Sequence, residues 1–335
     1  MEFEFQRGAI HLPSLGLWLD AHRPIGPAEA VFVSHAHSDH IAGHAEVFLS
    51  PPTRELMRAR MSGKRVEHVV EFGRRLDLSD RAFSTRREAF LTLLPAGHVL
   101  GSAMSLLETA AGSLLYTGDF KLQVGRSAEV CEPRPADTLI METTFGRPKY
   151  VFPPLAEVAE AVVAFCRKTL AEPAAPVLLA YSLGKSQEIL HALLEAGLPV
   201  MLSPPVAKMT RIYGGFGHPF LGWEELDVER AAGHVVISPP GARITALRAA
   251  AGQIRTAVLT GWALDSGCRF RYQADAAFPL SDHADFPDLI EFVKRVAPKR
   301  VFTLHGYAAE FASTLRDMGI EAWALGEDNQ MTLRL

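Results

Sequence analysis

The stretch VFVSHAHSDH, residues 31–40, restricts this chain more than any other: an apolar β-rich run ends and His35, His37, Asp39 and His40 follow within six residues. A polar side chain carried out of a buried run is costly unless it finds a partner. Side chains alternate along extended backbone, so His35 and His37 point to one side, leaving Asp39 and His40 available for a second ion beside it. Imidazole nitrogen and carboxylate oxygen are ligands of zinc, which points to a metal centre of one ion or of two neighbouring ions. His98 in LLPAGHVLGSA and Asp119 in LLYTGDF also stand just after apolar runs and are expected to join it. Scattered surface histidines are the competing reading for any one of these positions, but they do not explain the cluster. His11, His22, His44, His68, His191, His218 and His234 lack such a setting and are read as ordinary residues.

With 335 residues, 48% hydrophobic and 21% charged, the chain can bury one large core or two. Lys and Arg number 34 against 38 Asp and Glu, a net charge of -4, so any nucleic-acid contact must be local rather than a property of the whole surface. Cys131, Cys166 and Cys268 are odd in number and far apart, and read as reduced core thiols. The opening MEFEFQRGAI is acidic where a secretory leader would be basic, and no apolar run reaches membrane-spanning length, so the expected setting is cytoplasmic, with no membrane partner.

Up to about residue 150 the chain alternates short β-rich runs (FEFQRGAI, LGLWLDA, AVFVSHAH, FLTLLPAGH, TLIMETTFG) with turns, interrupted by one helix near TRELMRARM. From Pro153 strand-then-helix units take over, including VLLAYS followed by SQEILHALLEAG, where Leu190, Leu193 and Leu194 share a helical face. That is the pattern of a parallel α/β layer. The tail returns to units ending in polar residues: FPLSDH, then DFPDLIEFVKRV with Leu289, Phe292, Val293 and Val296 at helical spacing, then VFTLHG. The expected organisation is a main domain over residues 1–150 and 276–335 with an inserted domain over 151–275.

HAHSDH with His98 and Asp119 resembles the signature of the metallo-β-lactamase superfamily, and Asp20 in LGLWLDA falls where that superfamily has an acid at a strand end. The resemblance implies an α/β fold, an αββα metallo-β-lactamase sandwich. It also implies His35, His37 and His98 on one zinc, Asp39 and His40 on the other, Asp119 bridging them, and Asp20 orienting a ligand. Lactamases, thioesterases and nucleases share that fold, so the fold alone names no substrate. Glu142 in LIMETTFG, His283 in PLSDHADF and His305 in TLHGY resemble the additional motifs of the β-CASP nucleases. YSLGKSQEIL resembles the loop-to-helix segment of their inserted α/β domain, which makes Ser182, Gly184 and Lys185 the expected phosphate contacts at a helix start. The basic stretches RMSGKR, FGRRL and STRREAF could add to the rim of a nucleic-acid groove.

Phosphodiester cleavage needs charge neutralisation, an activated water and a proton for the leaving oxygen. The resemblance assigns the proton to His283, braced by Glu142, counts Asp39 with them in the catalytic set, and gives His305 to the second zinc. The cofactors expected are two Zn2+, with Mn2+ as a substitute. Over nearly its whole length the chain is similar to the bacterial ligase-associated DNA exonucleases, through LGLWLDAHRP, PAGHVLGSA, ETTFGRPKY, TGWA, LSDHADFPDLI and LHGYAAEF. That likeness implies a DNA exonuclease acting in repair alongside an ATP-dependent DNA ligase and a helicase. A histidine at position 305 is more usual in RNA-cutting members, so ribonuclease or RNA 3′-end processing is the alternative, and ETTFG has Thr143 where serine is more typical. A small-molecule hydrolase would leave the insert, Glu142 and His283 without a use, and an inactive scaffold would be expected to have lost ligands.

Overall fold

A computed structural model of the chain describes residues 1–79, 88–241 and 245–326, and the chain divides into two units. The first unit comprises Met1–Val124, Ala128–Val151 and His283–Leu335. One of its sheets has six strands paired in chain order, Glu4–Gln6, Ala9–Leu12, Leu17–Leu19, Ala30–Phe32, Glu46–Leu49 and Val66–Val69. The other has seven, ordered Ala322–Ala324, Arg300–Leu304, Thr138–Glu142, Gly112–Tyr116, Ala103–Thr109, Ala89–Pro95 and Arg75–Asp77. The first four of these run parallel and the hairpins that follow run antiparallel.

Period-two patterning sets the layers. Along the strand Thr138–Glu142, Ile140 faces a core shared with Phe32, Phe48, Leu91 and Phe302, drawn from both sheets. Its neighbours Leu139 and Met141 face a second core with Leu289, Phe292, Phe311 and Leu315 from the helices Phe286–Val296 and Ala308–Asp317. A strand buried on both faces must be apolar throughout, which is why TLIM reads as a continuous run. The helix Phe286–Val296 starts on Asp285, whose carboxylate accepts from Asp288 N at 3.0 Å, and ends at Ala297 in a left-handed conformation. It buries Leu289, Phe292, Val293 and Val296, each contributing about 1.5–3 kcal/mol.

The second unit comprises Gly125–Ser127 and Phe152–Asp282. Its six strands are all parallel, in the order Trp223–Glu225, Val200–Leu202, Val235–Ser238, Ala174–Leu179, Gln253–Leu259 and Ala276–Phe278. Helices Leu155–Ala171, Lys185–Glu195 and Pro204–Gly214 belong to the same unit, and Val162, Leu190 and Val206 from them share a core with Leu178 and Ile237 of the sheet. Residues 276–282, read from sequence as part of the main domain, lie in this unit because Ala276–Phe278 pairs with Gln253–Leu259.

Cys131, Cys166 and Cys268 are buried free thiols. Burial pushes Cys131 and Cys166 up to about 12, which removes the thiolate needed for metal binding. Among the described residues no helix is long and apolar enough to cross a membrane.

Candidate metal centre

Asp20 organises the first unit's histidines. It sits just past the strand Leu17–Leu19 in the left-handed backbone region, φ 47°, and is buried. Its carboxylate accepts hydrogen bonds from Ser34 N (2.8 Å), Ser34 Oγ (2.6 Å), Tyr116 OH (2.9 Å) and His40 Nδ1 (2.9 Å). Ser34 Oγ has one proton and gives it to Asp20, so it accepts from His35 Nδ1 at 2.9 Å. The lone pair of His35 is therefore on Nε2, facing inward, and His40 likewise presents Nε2 to the cluster.

Those atoms converge. His35 Nε2 is 3.0 Å from His37 Nδ1, which is 3.1 Å from His98 Nε2. Asp119 Oδ2 lies 3.5 Å from His35 Nε2, 3.4 Å from His40 Nε2 and 3.7 Å from His98 Nε2. The ligand atoms of His35, His37, His98 and Asp119 all fall within 4.8 Å of one another. A tetrahedral ion with bonds of about 2.0–2.1 Å spaces its ligands roughly 3.3 Å apart, so this donor set fits zinc in chemistry and in spread.

The electrostatics agree. Burial, then repulsion from His40 and His98, holds His35 well below its ordinary value and keeps it neutral, as a ligand must be. Burial opposes charge on Asp119, but the positive charges of His40 and His283 and the His40 hydrogen bond hold its carboxyl well below the usual range. Burial also disfavours charge on His40, and Asp119 and Asp20 outweigh it and raise the group well above its ordinary value. Gly118, φ 53°, makes this approach feasible: a Cβ there would stand 2.5 Å from Ser34 Cβ.

Beside the cluster stands a second pair. Glu142, buried at the end of its strand, accepts from Phe120 N (3.1 Å) and His283 Nδ1 (2.8 Å) on Oε1, and from Thr144 N (3.2 Å) and Thr144 Oγ1 (2.5 Å) on Oε2. Nδ1 of His283 is thus engaged by Glu142, and its ring lies 4.7 Å from that of His98. Ligand atoms of Asp119, Glu142 and His283 also lie within 4.8 Å of one another. His305 follows the strand Arg300–Leu304 in the left-handed region, φ 60°, with its ring 6.3 Å from that of His40. Burial lowers its pKa. Thr143 Oγ1 lies 2.7 Å from the His305 carbonyl, so threonine supplies the hydroxyl that serine would. At Gly306, φ 56°, a Cβ would meet Thr144 Cα at 2.4 Å.

Asp39 differs from the rest: it is exposed, and its carbonyl oxygen lies against His22 Nδ1. His22, read as ordinary, thus belongs to the surroundings of the centre, as do Ser34, Tyr116 and Thr144. Tyr116 is 96 positions from the acid it serves, a pairing that no local pattern announces.

In the second unit, Gly184 (φ 91°) precedes the helix Lys185–Glu195 and donates its N–H to Gln187 Oε1 at 2.8 Å. The Ser182 carbonyl accepts from Gln187 Nε2 at 3.1 Å. Lys185 is 6% exposed and its ammonium is paired with Asp282, an arrangement unlike the open phosphate contact expected of it. Arg65 bonds the Met61 carbonyl, and Arg75 lies over the Phe90 ring and pairs with Glu108. Arg86 and Arg87 of STRREAF lie outside the described residues.

Residues 276–325 match a family described as "Zn-dependent metallo-hydrolase RNA specificity domain". Over 333 residues, 99% of the chain, the sequence is 54% identical to a probable DNA ligase of Opitutus terrae, of which it covers 32%. It is 30% identical over 294 residues to the 5′ exonuclease Apollo of Gallus gallus, covering 84% of this chain and 60% of that one. The chain therefore spans about a third of the first of these relatives and three fifths of the second. A crystal structure of a protein of unknown function from Enterococcus faecalis V583 shares the fold at a TM-score of 0.61 and 12% identity, over 89% of this chain and 79% of that one. With imidazoles and a carboxylate gathered after strands and a parallel-sheet unit preceding most of the matched segment, these likenesses make the chain a member of the β-CASP group of the metallo-β-lactamase superfamily.

Proposed function

We propose that the chain is a two-zinc phosphodiesterase that degrades DNA from an end, in repair, alongside an ATP-dependent DNA ligase and a helicase. The convergence of His35, His37, His98 and Asp119 next to the Glu142–His283 pair carries this reading, because it joins a metal-binding donor set to a proton donor. In this reading the first unit is the αββα sandwich and the second is the inserted β-CASP domain. His35, His37 and His98 would hold one zinc, Asp39, His40 and His305 the other, with Asp119 between them. When bound, the two ions supply Lewis-acid charge against the phosphodiester and a water activated at neutral pH.

The chain's own residues do the rest. Asp20 and Ser34 fix the faces that His40 and His35 present. Glu142 holds His283 Nδ1, so the proton for the departing oxygen leaves from Nε2. Glu142 is itself held by Phe120 N and Thr144, which fixes the donor's direction.

The names "probable DNA ligase" and "5′ exonuclease" on two relatives favour DNA, and three reduced cysteines suit a cytoplasmic setting. A ribonuclease is the second reading, favoured by the RNA specificity description of the family matching residues 276–325. Elemental analysis combined with digestion of matched end-labelled DNA and RNA oligonucleotides, with Zn2+ and then Mn2+, tests both. The expected result is two ions per chain and stepwise shortening of DNA. RNA cleavage far exceeding DNA cleavage selects the second reading, and absence of bound metal overturns both.

A further inference from the structure

We infer that His22 is a positioning residue that holds the turn carrying Asp39 and His40, and so sets how tightly the second of the two ions is bound. The inference rests on the two-ion reading above and deepens it.

The segment after strand Leu17–Leu19 grips the loop at 39–44 with three consecutive residues. Asp20 takes His40 Nδ1 at 2.9 Å, the Ala21 carbonyl takes His44 Nε2 at 3.0 Å, and His22 Nδ1 lies against the Asp39 carbonyl oxygen. His22 Nε2 is 2.9 Å from the Gly8 carbonyl, so the ring lies against the hairpin between Glu4–Gln6 and Ala9–Leu12, and a neutral ring whose single N–H is on Nδ1 donates to Asp39. Its ring stands edge-on to His40 and His305, with centroids 6.2 and 6.3 Å away. Those are the two imidazoles assigned to the second ion, and Asp39 completes the set. His35 and His98 are held otherwise, by Ser34 Oγ and by the Ser102 Oγ contact to His98 N. Loss of the His22 grip therefore reaches one ion and leaves the other.

Side chains that hold ligands in place typically change metal affinity by about 10–100-fold when removed. Wild type, His22→Phe, His22→Asn and His22→Gln would be equilibrated against graded zinc buffers and their zinc per chain measured, with circular dichroism to confirm folding. Phenylalanine keeps the ring and removes both nitrogens. Asparagine can place an amide N–H near the position of Nδ1, toward Asp39, whereas glutamine reaches toward Gly8. The expected result is one ion held as in wild type and the other weakened at least about tenfold in His22→Phe, with recovery in His22→Asn but not in His22→Gln. Two ions at wild-type affinity in folded His22→Phe, or equal recovery by Gln and Asn, overturns the inference. Should His22→Phe not fold, the difference between Asn and Gln decides. Fewer than two ions in wild type brings down the two-ion reading itself.

Discussion

Two buried polar clusters, one in each unit, make opposite use of similar ingredients. In the first unit ring nitrogens lie 3.0–3.1 Å from one another and 3.4–3.7 Å from a single carboxylate oxygen, like groups brought close around a common point. In the second, each group in GKSQE meets a complement: Lys185 meets Asp282, Gln187 meets Gly184 N and Thr210 Oγ1, and Glu188 accepts from Arg126 N, Ser127 N and Ser127 Oγ. Lone pairs crowded together call for a cation, whereas donors matched to acceptors need nothing further. The first cluster is built to bind and the second to hold its own unit together.

Asp119→Ala gives the most drastic test of that contrast. Bound metal should fall and turnover drop to the background of metal-free protein, with the fold retained by circular dichroism; full metal content would place the cation elsewhere. His283→Ala should leave the metal in place and cut kcat about 10²–10⁴-fold, with the loss shrinking on phosphodiesters whose leaving group needs no proton. Metal loss in that variant would move His283 into the ligand set.

Lys185→Met should act on stability. Asp282 would be left charged at 5% exposure, which costs about 3–5 kcal/mol, read as a lower denaturation midpoint with zinc content unchanged. Glu188→Ala, which removes the acceptor of Ser127 N and Oγ at a buried position, should cost about 1–3 kcal/mol by the same measurement. If either variant instead weakened DNA binding at unaltered stability, the second cluster would be a ligand site after all.

The finest comparison uses pH alone. In the two-ion reading His40, raised by Asp119 and Asp20 against its burial, would have to release a proton to bind metal, while His35 is already neutral. On acidification the ion served by His40 should therefore leave first, visible as zinc content falling in two steps. In metal-free protein the raised His40 contributes stability that is fully present below its ordinary value of 6.5 and fades as pH rises through its folded value. The depressed Asp119 works the other way: its contribution is present above its ordinary value of 3.8 and is lost as pH falls through its folded value.

Strand ends were legible in the sequence because apolar runs stop abruptly at polar residues, which is how His35, His98, Asp119, Glu142 and His305 could be picked out. The apolar spacing of Leu289, Phe292, Val293 and Val296 likewise matches the buried face of a helix. What could not be read was partnership over distance. Lys185 looks like a free cation until Asp282, 97 positions later, closes on it, and His22 looks idle until the turn at Asp39 folds back against it. Short edge strands such as Arg75–Asp77 and Val66–Val69, polar and half exposed, also lack the apolar signal that marks the interior ones.

The pairing of Thr138 with Arg300 in the seven-stranded sheet has a bearing on synthesis. A nascent chain that has just been made as far as Glu142 has neither the neighbouring strand nor His283 and His305, and must make the whole intervening unit before they arrive. Closing so long a loop is slow relative to local hairpins and helices, so the centre is finished late, after the parts around it have had time to form. A polypeptide released early from the ribosome would thus hold His35, His37, His98 and Asp119 without His283 and His305.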